Sequence, residues 1–334
     1  MSIPDSDPYS ELLASYSHKI QWDDLTPKTL HEVKRRILDT IGVGIAAIYE
    51  DAPNATRSYA LDLPLTNGAT LWGSSHKVTP EAATLANGTM VRYLDFNDTY
   101  LALEPLHPSD TIPGLIALSE WTKGSPKTLL TAIAIAYEIG VNLCDSASLR
   151  SHGWDHVNYT GIAAACGAGS ILGLTSKQLE HTLSITTVPH ASMRQTRSGE
   201  LSMWKGSAAA NSVRNAIFSS HAVLRGMTGP YKSFSGEMGF ISQLLDGEPL
   251  NLAALKSLQS NSPSRISDTY VKKWPVEYHA QSGVDAAQIV HDKFSDINQI
   301  ASVRIDTFKA AYEIIAKDPE KWAPKTRETA DHSL

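Results

Sequence analysis

The chain is poor in cysteine, has no run of one charge and lacks the short glycine signatures that hold phosphates, and each shortage closes a class of function. Of 334 residues only Cys144 and Cys166 are cysteine. Both sit in Ala/Ile/Leu-rich stretches with no CxxC and no Cys/His ligand spacing around them, so they read as core thiols rather than disulfide partners or zinc ligands. Twenty-nine basic side chains against 35 acidic give a formal charge of -6, and no Lys/Arg run is able to follow a phosphate backbone, which argues against nucleic acid as a partner. GxGxxG, the P-loop pattern, HExxH and a well-placed GxSxG are missing, so no cofactor is expected. The histidines and aspartates fit no compact metal spacing either.

The first 16 residues lack the basic start and unbroken apolar run of a secretory leader. The most apolar long stretch, Leu129 to Cys144, carries Glu138 and Asn142 and falls short of the roughly 20 residues a bilayer needs. No membrane partner follows from this, and a cytoplasmic location is the default expectation.

What the chain does have is helix punctuation. Hydrophobic residues make up 42% and charged residues 19%, ordinary for a folded protein, and the length suits one large domain or two. Thr26-Pro27 supplies an N-cap with proline at the first helical position, and Leu30, Val33, Ile37 and Ile41 then recur at spacings of three and four. That predicts an amphipathic helix reaching about Ile48. The same device returns at Thr79-Pro80, predicting a helix through Val91, and at Ser125-Pro126, predicting one through Asn142. Ala69 to Ser75 reads as a small hairpin at best. Thr160 to Leu172 is built of small residues that permit close approach of helices. A further helix is expected from about Lys205 to Arg225, closed by Gly226. The fold class is therefore mainly α. Near Pro263 the character changes: a Ser/Pro/Asn-rich link (Asn261 to Ser267) precedes an expected helix at Ser282 to Lys293, an alternating strand at 301–308 and a helical run at 309–317. This reads as the start of an α+β unit, 264–334, after an all-helical region, 1–263.

Four stretches concentrate polar residues that core packing does not explain. Arg92 to Asp110 interleaves Asp95, Asp98 and His107 with Tyr93, Phe96 and Tyr100; alone it reads as a turn rich in Asx caps, but the apolar wall suggests carboxylates whose burial raises their pKa. Gly153 to Gly161 sets His156 shortly before the small-residue helix, where free N–H groups favour an anion. Pro189 to Arg214 carries Arg194, Arg197, Lys205 and Arg214 against Glu200, a local charge of four minus one, +3, in an acidic chain. Met193, Met203 and Trp204 between them suggest cations partly withdrawn from water, as a polyanionic ligand requires. Tyr270 to Gly283 sets Lys272, Lys273 and His279 around Pro275 just beyond the link, where it can face the first domain.

Together these stretches resemble the MmgE/PrpD family, whose members include 2-methylcitrate dehydratase, cis-aconitate decarboxylase and an iminodisuccinate epimerase. The likeness spans nearly the whole chain. It is nearest to the dehydratase branch in LDFNDTYLALEPLHPSD, RQTRSGELSMWKGSAAANSVRNA, GMTGP and KKWPVEYHAQSG. The resemblance implies a large all-helical domain with a smaller α+β lid, a cleft between them, a homodimer, and catalysis without metal or iron–sulfur cluster. It also implies that family chains continue past the ADHS motif, here Ala330 to Ser333. By matching motifs, the family's site residues fall on Asp95, Thr99, His107, His156, Lys205, Lys272 and His279. The expected substrate is a di- or tricarboxylate such as 2-methylcitrate, from which water is lost. Taking a proton from beside a carboxylate adds negative charge to an anion, so fixed cations lower the barrier, with Lys205, Lys272 and Arg197 as candidates. His107 and His156 are expected as acid and base in either order, and Asp95 as a base or as the group that orients a histidine. A reading from another class is a non-catalytic helical protein that binds a carboxylate or dimerises.

Overall fold

All three threonine/serine-plus-proline signals start helices. In the computed structural model, which describes residues 7–334 apart from 292 and 295, α2 runs Pro27–Ala46, α4 Pro80–Tyr93 and α6 Pro126–Ser146. The side chains of Thr26, Thr79 and Ser125 each accept the backbone N–H three residues on, which satisfies one of the helix's unpaired donors. Residues 1–6, part of the segment read as lacking a leader, lie outside the described residues. The remaining helices of this part are α1 (Pro8–Lys19), α3 (Asp51–Leu61), α5 (Ile112–Thr122), α7 (Val157–Leu172), α8 (Ser176–Thr187), α9 (Trp204–Leu224) and the short α10 (Phe240–Leu244).

Helices α4, α9, α7 and α6 lie successively against one another and form the centre. Small residues let them meet: a Cβ on Gly88 of α4 would lie 2.7 Å from the Ala210 Cβ of α9, and one on Gly167 of α7 would lie 2.9 Å from the Ala132 carbonyl of α6. Every residue of α7 from Val157 to Gly169 is buried, Cys166 among them, and Cys144 is buried in α6. Helix α6 is longer than its apolar run suggested. At 21 residues it has the length and composition to cross a bilayer, yet 78% of its apolar window is buried inside the fold, as suits a central core helix. Helix α9 ends as expected, with Gly226 left-handed at φ 96° just past the cap. The hairpin at Ala69 to Ser75 is the end of a two-stranded antiparallel sheet, β1 (Pro64–Thr70) with β2 (Lys77–Val78), registered Ala69 to Val78 and Thr70 to Lys77.

The link after Asn261 is tied down by α6, whose buried Glu138 accepts the backbone N–H groups of Ser264 and Arg265 at 2.8 Å each. Beyond it lie α11 (Gln281–His291), which ends within the expected 282–293 helix, and a helical turn at Lys309–Ala311 that continues as a π-helical turn to Ala316. The strand expected at 301–308 does not form: β1 and β2 make the one sheet among the described residues, and 301–308 has no regular structure. An alternating sequence becomes a strand only where an edge pairs with it, and none is offered here.

Candidate active site

The site begins where α4 ends. Asp95, just past the helix, takes the left-handed conformation (φ 48°), which Asp tolerates better than most residues and which is common at functional positions. Its carboxylate gathers cations from three distant parts of the chain. Oδ1 accepts Arg92 Nη1 and Lys272 Nζ, each at 2.6 Å, and Oδ2 lies 3.2 Å from Lys205 Nζ and 3.2 Å from His332 Nδ1. Lys272 also donates to the Asp95 carbonyl at 2.7 Å. Burial alone would raise this carboxyl, but Arg92, Lys205 and Lys272 outweigh it and hold it well below the usual carboxylate range. The cage also contains Asp331, whose two oxygens sit 2.9 and 3.0 Å from Lys205 Nζ and which binds His332 Nδ1 at 2.6 Å. Burial, with Lys205 next, pushes the His332 imidazole down.

Arg92 carries the cage on to His107. Its Nη2 lies 3.0 Å from His107 Nε2, while His107 Nδ1 lies 2.7 Å from the Asp98 carbonyl. A carbonyl only accepts and a guanidinium only donates, so Nδ1 carries the proton and Nε2 the lone pair. Burial and the Arg92 charge push this imidazole well below its usual pKa, in keeping with a neutral ring. The His156 ring lies edge-on to it with centroids 5.7 Å apart. His156 caps the N-terminus of α7; its Nδ1 is 3.2 Å from Asp155 Oδ1, and burial, with Arg197 next, pushes it down to about 3. Arg197 donates through Nε to the same Asp155 oxygen at 2.9 Å.

Beyond these contacts the cluster is unfinished. His156 Nε2 and both Nη1 and Nη2 of Arg197 are buried without a hydrogen-bond partner among the described residues. Buried polar groups are normally paired, so three such atoms around one imidazole and one guanidinium point to a place for a ligand. Asp110 has the same character: Oδ1 accepts Asn97 Nδ2 at 2.9 Å, Oδ2 is unpartnered, and burial against the pull of Arg92 raises the carboxyl to about 7.

Thus Asp95, His107, His156, Lys205, Lys272 and Arg197 form one buried group. Thr99 is close by, but its hydroxyl donates to the Leu106 carbonyl and its backbone pairs with Tyr270 (2.9 and 2.7 Å), so it fastens the loop to the post-link segment. His279 stands apart: it bonds Glu277 at 2.7 Å, packs against Phe308 and lines an apolar cavity of about 650 Å³ within the C-terminal unit. Sequence reading passed over Arg92, Asp110, Asp155, Asp331 and His332 as site residues. A signal was present in the Asp-His pair, which occurs at 155–156 and again at 331–332, each time with the carboxylate on the next residue's Nδ1. Asp95, Asp331 and His332 bring ligand atoms within 4.8 Å of one another, as a metal would need. Those carboxylates already neutralise Arg92, Lys205 and Lys272, so a dication would meet three fixed cations and the donor set does not suit one.

Residues 11–253 match the model of the MmgE/PrpD N-terminal domain, and residues 274–334 that of the C-terminal domain. The chain belongs to the MmgE/PrpD family. It is 28% identical over 334 residues to the mitochondrial 2-methylcitrate dehydratase of Yarrowia lipolytica, covering 94% of this chain and 63% of that protein. It is 29% identical over 310 residues to the 2-methylcitrate dehydratase of Cupriavidus necator and 28% over 305 to that of Escherichia coli, each covering 84% of this chain and 61% of the relative. The chain therefore spans less than two thirds of the length of these relatives.

Proposed function

We propose that this MmgE/PrpD site removes water from a tricarboxylate of the 2-methylcitrate type by acid–base catalysis among its own side chains. The observation that carries the reading is the set of unpaired buried donors on Arg197 beside His156 Nε2. A guanidinium end with two free N–H groups fits a carboxylate in bidentate fashion, and a tricarboxylate supplies further anionic groups for Lys272 and Lys205. The names of the relatives point the same way.

With Nδ1 turned to Asp155, His156 presents Nε2 as a lone pair and is placed to take the proton beside a carboxylate. Asp155 orients the ring, and Arg197 ties that carboxylate to the substrate end. Charge that builds on the substrate carboxylate is met by Lys272 and Lys205 in a water-poor site, where one preorganised donor typically contributes about 2.7–4 kcal/mol. His107 has both nitrogens engaged and serves to hold Arg92. The departing hydroxyl needs a proton, and Asp110, near half protonation at neutral pH, supplies it. Asp95, held as a carboxylate, gathers the cations rather than moving protons. The working molecule is a homodimer, a reading supported by exposed Leu38, Ile41 and Ile45 along α2 and Tyr49 just beyond it.

The test is absorbance of the new conjugated double bond on incubation with 2-methylcitrate. Folded His156→Ala is expected to turn over at least about 100-fold more slowly, the low end for general acid–base catalysis. Near-wild-type turnover would remove His156 from the chemistry. Carbon dioxide released from cis-aconitate in place of dehydration would move the chain to the decarboxylase reading.

A further inference from the structure

Lys205 has no hydrogen left to give. An ammonium group carries three N–H donors, and Lys205 Nζ has three acceptors around it: Asp95 Oδ2 at 3.2 Å and the two oxygens of Asp331 at 2.9 and 3.0 Å. The side chain is fully buried, so bulk water plays no part. Lys272 differs, because its hydrogen bonds among the described residues both go to Asp95, two against the three acceptors around Lys205. Arg197 and His156 differ again, with unpaired buried atoms. One end of the site is open to an anion while the other is already filled by a carboxylate of the chain itself.

That carboxylate rides on a short support. Asp331, whose carbonyl accepts the Glu277 N–H at 2.8 Å, caps the single helical turn Arg327–Ala330, which meets the helical part through Arg327 stacked over the Tyr93 ring (4.5 Å) and three hydrogen bonds. Arg327 Nη1 donates to the Tyr93 carbonyl (2.7 Å), Leu201 N–H to Thr329 Oγ1 (3.0 Å), and Thr326 Oγ1 to the Leu201 carbonyl (2.9 Å). We propose that Asp331 stands on Lys205 where a carboxylate of the substrate binds, and that a tricarboxylate must displace it. This rests on reading the site as one for carboxylates. Charge favours the exchange: Arg92, Lys205 and Lys272 against Asp95 and Asp331 give three minus two, +1, and departure of Asp331 leaves three minus one, +2, facing a trianion. His332, bonded to Asp331 through Nδ1, travels with it.

The experiment uses the full chain and its Asp331→Asn variant, titrated calorimetrically with citrate and with 2-methylcitrate, with hydrogen exchange followed over residues 326–332. Asparagine keeps a hydrogen-bond acceptor on Lys205 and removes the charge. The variant is expected to bind both ligands at least tenfold more tightly, and citrate at saturation should speed exchange of 326–332 in the wild type at least tenfold. Arg327→Gln, which removes a donor 3.3 Å from Asp331 Oδ2 without touching Lys205, is a second arm should Asp331→Asn fail to fold, and is expected to tighten binding in the same sense. If the wild type binds a tricarboxylate and Arg197→Ala abolishes that binding, the carboxylate-site reading stands. Unchanged or weaker binding by Asp331→Asn, with exchange of 326–332 indifferent to ligand, then overturns the displacement alone and makes Asp331 a fixed support. No binding of any di- or tricarboxylate to either protein overturns both.

Discussion

Helices α7 and α11 both carry glycine and paired alanines and are opposite in surroundings. From Val157 to Gly169 every residue of α7 is buried, whereas α11 buries none of its residues and leaves Ile289 and Val290 exposed, with Phe294, Ile297, Val303, Ile305 and Phe308 exposed just beyond it. The C-terminal unit has a small core of its own, chiefly Ala280, Ala311 and Ile315. What ties it to the helical part is largely polar and concentrated at the site: Lys272 on Asp95, Asp331 on Lys205, and Tyr270 paired with Thr99. The helical part thus stays folded through close packing of small residues, and the second unit docks through the ions of the candidate site. One group of side chains both attaches the second unit and makes up the candidate site.

Removing the centre of that group is the severest way to break this comparison. Asp95→Ala would strand Arg92, Lys205 and Lys272 in a buried place without their shared counter-charge, and breaking a buried ion pair costs about 3–5 kcal/mol. The expected outcome is a loss of that size in urea unfolding, loss of turnover, and early proteolytic cleavage after the link, with the helical far-UV signal retained. A variant as stable and as protease-resistant as the wild type would mean that apolar contacts hold the second unit instead.

Protonation sharpens the comparison, because His156 and Asp110 both belong to the helical part and titrate in opposite senses. Folded His156 is neutral down to about 3, while in the unfolded chain it takes a proton near 6.5, so its contribution is present above 6.5 and is lost as pH falls towards 3. Folded Asp110 keeps its proton to about 7, while unfolded it loses it near 3.9, so its contribution is present below 3.9 and is lost as pH rises towards 7. Each slope is about 1.4 kcal/mol per pH unit at most. Melting curves should therefore show His156→Asn gaining on the wild type as pH falls from 6.5 to 5, and Asp110→Asn gaining as it rises from 5 to 7. Flat differences in both would place these groups in water.

Much of this was legible beforehand for local reasons. An N-cap followed by proline is a contact within one turn, so Thr26, Thr79 and Ser125 announced their helices without help from the rest of the fold. Of the eight site residues named, the structure brings together Asp95, His107, His156, Lys205 and Lys272, named on motif likeness, and Arg197, named from the locally basic segment. Two of the departures share one physical cause, dependence on distant partners. Residues 301–308 alternate like a strand but have no edge to pair with. Asp331 becomes part of the site only because Lys205, 126 positions earlier, lies under it. His279, named from the motif, differs for a local reason: Glu277 two residues away holds it.

The smallest effect is the most direct comparison of the two regions, since the same substitution should change sign between them. In α4, Gly88→Ala would bring a Cβ to 2.7 Å from the Ala210 Cβ and 3.2 Å from its Cα. Backbone cannot step aside as a flexible side-chain tip does, so α4 and α9 must separate, at about 1–3 kcal/mol for overpacking a tight core. In α11, Gly283→Ala meets only Leu334 Cδ1 at 3.5 Å, an ordinary contact. There the added methyl restricts the unfolded chain and suits a helix, stabilising by about 0.4–1 kcal/mol. The two variants should accordingly differ in kind when followed by amide exchange. Gly88→Ala speeds exchange throughout the central helices, because that packing is one cooperative unit. Gly283→Ala slows exchange within α11 and leaves the central helices alone. Destabilisation by both would show that α11 is packed as tightly as α4 in solution, and the contrast between the regions would fall with it.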